Sequence, residues 1–325
     1  MIKIAEDSFF EGKQYIYAVY REKSFSRAAE KLFISQPSLS ANVKRVEERI
    51  GYQIFDRSTK PLSLTECGKK YIEAVEKIRK TENDFGNFVS DWGELKTGHL
   101  SLGGSSLFSS WVLPPIMGKF MRRYPNVNVE LTEESTKKLE ILLLNGLVDL
   151  IMDNCDLSQS LYGRMLYREE HLLLAVPASL SQTGIPDDAE IHAKNIRDGS
   201  FLSPGIPAVD LTLFRKYPFL LLKPDNDTGR RAAAMLRERG MKPQIIFQLD
   251  QQLTSYNITL SGMGISFISD TLVSRVPDSR SVRFYKLSSR YSVRNLCFYW
   301  KSDRYLSRSM EEFLKLAGQK DEKRK

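Results

Sequence analysis

Between Gly12 and Leu64, apolar residues recur in short groups at helical spacing. Tyr15, Ile16 and Val19 give a first helix its apolar stripe. Ala28, Ala29 and Leu32 do so for a second helix, whose N-cap the pattern places at Ser26. After a turn at Phe33-Ile34-Ser35, Ser35 caps a third helix, with Pro37 in the first turn where its missing N–H is harmless. Leu39, Val43, Val46 and Ile50 form the buried stripe of that helix. Ile54-Phe55-Asp56-Arg57 and Leu62-Ser63-Leu64 flank Ser58-Thr59-Lys60-Pro61, which predicts a hairpin, or wing. Thr65 then caps a long helix from Glu66 to about Leu95. On it Tyr71, Ile78, Phe85 and Trp92 stand seven apart, Val75 and Val89 fill the intervening register, and Glu82 is the break. A sustained period near 3.5 residues predicts a helix–helix seam; a stripe packed on its own chain is the alternative.

Beyond residue 97 the period changes and a repeat appears. Leu100-Ser101-Leu102 is a strand, followed by a Gly/Ser loop, a helix through Arg123, a strand Val127–Leu131, a polar loop, a helix to Leu144, Gly146 and a strand Asp149–Met152. The series restarts at Phe219–Leu222, with a helix through Arg239, a strand Ile245–Leu249, a helix to Ser261, Gly262 and a strand Ile265–Ile268. Strands alternating with helices imply parallel sheets. Two such α/β lobes leave a cleft at the carboxyl ends of their strands.

The chain of 325 residues is 42% hydrophobic and 27% charged, enough for two or three cored domains. Its longest apolar run, Leu139–Met152, is cut by Asn145, Gly146 and Asp149 and cannot span a membrane. The N-terminus carries Glu6, Asp7 and Glu11 and lacks a secretory h-region. Cys67, Cys155 and Cys297 are scattered, with no CxxC, which fits a reducing cytoplasm rather than a disulfide framework or zinc site. His99, His171 and His192 form no HExxH, no phosphate-binding G-x-x-x-x-G-K loop is present, and Gly262-Met263-Gly264 runs on to Phe267 where a dinucleotide fingerprint wants glycine. An enzyme is therefore disfavoured, and no cofactor or metal is expected.

Net charge is +8, and the basic excess of the N-terminal region is concentrated: residues 21–70 hold 11 Lys and Arg against 6 Asp and Glu, residues 71–95 hold 3 against 6. The exposed face of the third helix carries Pro37, Ala41 and Lys44, flanked by Ser38, Ser40 and Arg45. Small, hydroxyl and basic side chains on one helix face suit a DNA major groove, although such a face is also what ordinary solvation selects.

At this point the chain resembles a known family. Ser24-Phe25-Ser26-Arg27-Ala28-Ala29-Glu30-Lys31-Leu32, then Ile34-Ser35-Gln36-Pro37-Ser38-Leu39-Ser40, Val46-Glu47, Gly51, Ile54-Phe55-Asp56-Arg57 and Leu64-Thr65 resemble the winged helix-turn-helix of LysR-type transcriptional regulators. Weaker resemblance continues through Leu113-Pro114, Phe120, Tyr124-Pro125, Asn145-Gly146, Asp149-Leu150, Leu166-Tyr167-Arg168-Glu169 and Gly262-Met263-Gly264-Ile265, so it covers nearly the whole chain. Met1–Gly12 is longer than the family's usual start, and Pro177–Asp210 is longer than its usual connection, either a flap over the cleft or a surface loop.

The resemblance implies an all-α winged helix-turn-helix domain over 1–65, a linker and dimerisation helix over 66–96, and an α/β effector-binding domain over 97–325. That domain would have two Rossmann-like lobes similar to periplasmic binding proteins, lobe I about 97–165 and 269–325, lobe II about 166–268. It implies a cytoplasmic, sequence-specific DNA-binding regulator, not an enzyme, controlled by a small-molecule effector. Gln36–Lys44 would enter the major groove, with Ser26, Arg27, Arg45 and the wing cations Arg57 and Lys60 beside it. Ser105, Ser106, Leu107 and Thr136 would meet the effector in the first lobe, and Lys223, Asn226, Asp227 and Gln251 in the second; simple N-capping accounts equally for the polar ones. Helix N-termini after Ser105-Ser106 and Asn226-Asp227, with Lys223, lean the expectation toward a carboxylate. Implied partners are double-stranded DNA with an interrupted dyad, a second copy of the chain, a dimer of dimers, and RNA polymerase as a candidate, with no membrane. The competing classes are a small-molecule binder whose DNA function has lapsed, which the intact Gln36, Ser38, Lys44 and Arg45 argue against, and an enzyme in the cleft.

Overall fold

The computed structural model describes residues 8–59, 61–92, 98–180 and 184–319. Its contacts divide the chain into two units, Met1–Gly86 and Asn87–Lys325.

The first unit begins with α1 (Lys13–Glu22), α2 (Phe25–Lys31) and α3 (Gln36–Ile50). The cap of α2 is Ser24, which accepts from the Arg27 N–H at 3.4 Å; Ser26, the expected cap, lies inside the helix. Starting two residues earlier lets the Phe25 ring meet Phe55 edge-on at 5.8 Å. Ser35 caps α3 through the Ser38 N–H at 3.3 Å. Its apolar stripe packs with Ile16, Val19 and Ala28 around a common core. β1 (Phe55–Asp56) and β2 (Ser63–Leu64) pair antiparallel as the wing. Glu47, only 9% exposed, ties α3 to the wing: its carboxylate accepts the Ile54 and Phe55 N–H groups at 2.8 and 3.2 Å. Thr65 caps α4 (Glu66–Trp92) through the Gly68 N–H at 2.9 Å. A Cβ on Gly68 would lie 2.0 Å from the Ile54 carbonyl oxygen, so this approach admits glycine alone.

The second unit opens with β3 (Gly98–Gly104), α5 (Ser106–Trp111), α6 (Leu113–Arg123), β4 (Val127–Glu133), α7 (Thr136–Leu144) and β5 (Leu150–Asp153). The single helix expected up to Arg123 is two, because Pro114 and Pro115 cannot donate to the preceding turn. β6 (Tyr162–Pro177) is followed by β7 (Glu190–Ile191), α8 (Ala193–Asp198) and β8 (Ala208–Val209). The repeat resumes with β9 (Phe219–Leu222), α9 (Asp227–Glu238), β10 (Ile245–Leu249), α10 (Gln252–Leu260) and β11 (Ile265–Ser269). The chain closes with α11 (Asp270–Val273), β12 (Val282–Leu287), β13 (Val293–Lys301) and α12 (Arg308–Gly318).

Each copy of the repeat builds a parallel three-stranded core, β4-β3-β5 in one lobe and β10-β9-β11 in the other. Gly146 and Gly262 sit at equivalent positions after α7 and α10, with φ 66° and 83°, the left-handed turn that ends a helix. The sheets are not wholly parallel as expected: β6 runs antiparallel to β13 in the first lobe and to β11 and β12 in the second. β6 is thus one strand shared by two sheets. The return to the first lobe falls after Leu287, not at 269, because β12 pairs with β6 and β7 inside the second lobe. The long Pro177–Asp210 segment is folded into that lobe, burying Ala189, Ile191, Ile196, Phe201 and Val209.

Candidate nucleic-acid interface and ligand cleft

Gln36, Pro37, Ser38, Ala41, Lys44 and Arg45 form the exposed side of α3, and Ser40 is half-buried. The Ser26 hydroxyl, exposed on α2, donates to the Gln36 side-chain oxygen at 2.9 Å, so the two helices present these residues together. Arg27 is exposed and donates to the Glu22 carbonyl at 2.8 Å. Lys44 pairs loosely with Glu48 at 3.5 Å. Arg57 is not a free wing cation: it pairs with the buried Glu47 at 3.3 Å and lies over the Phe25 ring at 5.2 Å. Lys60 lies outside the described residues. Sequence reasoning passed over Phe33, which is 96% exposed at φ 55°, beside the start of α3. A non-glycine residue held in the left-handed region was the available signal only once the turn was placed.

The seven-residue stripe of α4 splits. Tyr71 and Val75 are buried in the first unit's own core, Tyr71 stacking on Phe10 with 5.3 Å between rings and donating to the Phe9 carbonyl at 3.2 Å. For these two the seam expectation is corrected to packing within the chain. Ile78 is half-buried, whereas Phe85 and Val89 are 67% and 50% exposed, as is Phe88 at 46%. The side chain of Trp92 lies outside the described residues.

In the second unit the loops of both repeat copies converge on one cavity of about 270 Å³. Ser105, Ser106, Leu107 and Thr136 line it from the first lobe, Asn226, Asp227 and Gln251 from the second. Ser105 and Gln251 occupy N-cap positions but make no side-chain cap, so simple capping does not account for them. Asn226 does cap α9, accepting the Thr228 N–H at 2.9 Å. Lys223 is absent from the lining; Asp250 holds its ammonium at 2.9 Å. No lysine or arginine lines the cavity among the described residues, while Glu133, Glu134, Asp153, Asp225, Asp227 and Asp250 do. The cation that favoured a carboxylate ligand is therefore engaged elsewhere.

Beneath the cavity lies a buried charge network that no sequence motif announced. Arg294 on β13 is wholly buried and donates to Glu170 on β6 at 2.7 Å, to Asp227 at 2.9 Å and to the Thr228 hydroxyl at 3.0 Å. Gln252 donates to Thr228 at 3.1 Å and accepts the Ser269 N–H at 2.8 Å, and Asn154 donates to Glu170 at 3.2 Å. Burial pushes the Asp227 carboxyl up, but Arg294 and Arg231 outweigh it and hold the group below its ordinary value. Asp153, 1% exposed, receives the Thr136 hydroxyl at 2.7 Å and the Cys155 N–H at 2.9 Å, with the Cys155 thiol and the Asn154 N–H beside them, yet burial outweighs these donors and holds its carboxyl above the ordinary range. Its place at the end of β5, facing the cleft of a repeated α/β fold, was the signal available in the sequence.

Comparison with known proteins agrees with this organisation. Residues 11–69 match the family described as "Bacterial regulatory helix-turn-helix protein, lysR family", and residues 93–321 match "LysR substrate binding domain". The "Uncharacterized HTH-type transcriptional regulator YcgK" of Bacillus subtilis (strain 168) is 28% identical over 304 residues, 94% of this chain and 92% of that one. The crystal structure of CbnR, a LysR family transcriptional regulator, has a TM-score of 0.64 at 17% identity, covering 97% of this chain and 100% of the other. Full-length CbnR complexed with its target DNA gives 0.63 at 17% identity over 96% and 99% of the two chains.

Proposed function

Since the chain belongs to the LysR family of helix-turn-helix transcriptional regulators, we propose that it binds an interrupted DNA dyad as a homodimer or dimer of dimers and reads a small-molecule effector in the cleft of its second unit. In this reading Gln36, Ser38, Ser40, Ala41, Lys44 and Arg45 on α3 face base edges in the major groove, with Pro37 shaping the helix entry. Ser26 orients Gln36; Arg27 and Lys60 meet phosphates, which position but do not specify. Arg57 acts mainly by fixing the wing against α3. Phe85 and Val89, with Ile78 and with Trp92 as the next member of the seven-residue series, join two copies, and protein symmetry then dictates a dyad. The protein acts in the cytoplasm, where RNA polymerase is a candidate contact; among the described residues no helix is long and apolar enough to cross a membrane.

One observation carries the ligand half of this reading: two repeat copies, far apart in sequence, deliver their loops to a single cavity. A ligand that binds differently in two lobe arrangements biases the geometry of the attached DNA readers. Selection of bound duplexes from a random library, followed by footprinting, tests the DNA half. Two inverted half-sites with an unprotected centre are expected; a single half-site, or binding without sequence preference, refutes it.

A further inference from the structure

The charges around the cavity are unequally answered. Of the six carboxylates that line it, Glu134 has Lys138 at 3.1 Å, Asp227 has Arg231 at 2.8 Å and Arg294 at 2.9 Å, and Asp250 has Lys223 at 2.9 Å. Among the described residues Glu133 and Asp153 make no ion pair, and Asp225 feels only Lys223, whose ammonium is held by Asp250. Glu133 and Asp225 are exposed at the mouth, where water serves them. Asp153 is different, because it is buried and every one of its donors is neutral: the Thr136 hydroxyl, the Cys155 thiol and the N–H groups of Asn154 and Cys155. A buried carboxylate without a counter-charge is costly, and proteins ordinarily pair it. Here the missing partner has a place to stand, since Asp153 forms part of the cavity wall.

We propose that the cleft takes a small organic cation, a molecule whose protonated amine stands against Asp153 with Glu133 and Asp225 at the entrance. The inference rests on the cleft being the effector site. A dicarboxylate would instead meet like charge, and no lysine or arginine among the lining residues would receive it. A bare metal ion is a poorer occupant: among the described residues no group of three or more His, Cys, Asp and Glu is arranged to hold one. The N-termini of α7 and α10 lack side-chain caps, so their N–H groups can donate to a second, electron-rich end of the same ligand. The amine is the determinant, and both simple diamines and zwitterionic amino acids carry it.

The test is calorimetry on the full-length protein at fixed ionic strength, with 1,4-diaminobutane, spermidine, L-lysine and L-arginine as cations, glutarate as a dianion and calcium chloride as a metal. At least one amine should bind at millimolar concentration or tighter, and glutarate should not. Diaminobutane and lysine together separate a plain amine from a zwitterion. Asp153→Asn should weaken the amine about tenfold or more, the loss expected for a charge-assisted contact. The exposed Asp225→Asn should weaken it less, and Glu311→Gln on α12 not at all. Binding of glutarate but of no amine overturns the charge assignment while leaving the cleft as the site. Calcium binding that Asp153→Asn abolishes, with no amine response, replaces the organic cation by a metal. Silence from every amine also overturns the proposal. An amine bound equally well by wild type, Asp153→Asn and Asp225→Asn occupies another site, and it is then the cleft reading that falls.

Discussion

Arg294 and Glu170 meet at 2.7 Å with neither side chain reaching solvent, at the level where β6 and β13 pass from one lobe toward the other. The same guanidinium reaches Asp227 and Thr228 of the cleft lining. Arg294→Met leaves a buried carboxylate unanswered and should cost roughly 3–5 kcal/mol. Adding Glu170→Met should recover most of that loss, because the expense lies in the unpaired charge. Urea unfolding followed by the fluorescence of Trp111 and Trp300 reads both; a double variant as unstable as the single one refutes the account.

On the first unit, Lys44→Ala or Arg45→Ala should weaken DNA binding by roughly 1–3 kcal/mol where the side chain reads a base. A cation that meets phosphate instead lowers affinity evenly across sequences and flattens the salt dependence. Ser26→Ala should blur preference at the base pair under Gln36, because the 2.9 Å hydrogen bond that orients the amide is gone. Gel shifts over a salt series would expose the opposite result, unchanged affinity for all three variants.

Phe33 stores backbone strain at an exposed position. Holding an L residue in the left-handed region costs about 1–2 kcal/mol, and such costs persist mostly where a site needs them. Phe33→Gly should therefore not lower the melting temperature, yet should weaken DNA binding. A marked loss of stability would mean that the ring packs on something within the chain.

The two ends of α4 should answer differently to the same change. Phe85→Asp charges an exposed face and should dissociate the dimer without unfolding the chain, as read by sedimentation. Tyr71→Asp buries a charge in the core of the first unit and should unfold it. If Phe85→Asp leaves the dimer intact, the exposed aromatic face has another use.

Asp153 carries a pH signature. Burial raises its carboxyl pKa above the ordinary 3.8, so between the unfolded and folded values the native state holds a proton that the unfolded chain has lost. Stability contributed by this group therefore falls as pH rises from about 4 through the folded value. Asp153→Asn removes that penalty, and its melting temperature should exceed the wild type's by more at pH 7 than at pH 4. An equal difference at both pH values would show that the group does not titrate as described.

Much of this was legible in sequence because it is periodic or local. The α3 stripe, the Thr65 cap, the wing and both copies of the repeat follow from spacing and turn residues alone. Misreadings arose where tertiary contacts decide. Ser24 displaced Ser26 as a cap because Phe25 packs on Phe55. Tyr71 and Val75 share a heptad with Phe85 and Val89, and periodicity cannot say which of them has a partner in its own chain. Glu170 and Arg294 are 124 residues apart, and Lys223 looked available until Asp250 appeared beside it.

Because β6 belongs to both sheets, the order in which the chain emerges from the ribosome matters. The second lobe is made in one continuous passage from β6 to β12. The first lobe waits: its core needs Leu296 and Phe298 of β13, and Phe313 of α12, which rests on Phe120 at 5.6 Å. Until those last elements arrive, β5 lacks its antiparallel neighbour and α6 lacks the helix that packs across it. The nascent protein thus completes its second lobe before its first, and an interrupted synthesis would leave the older half of the domain, not the younger, exposed to chaperones and proteases.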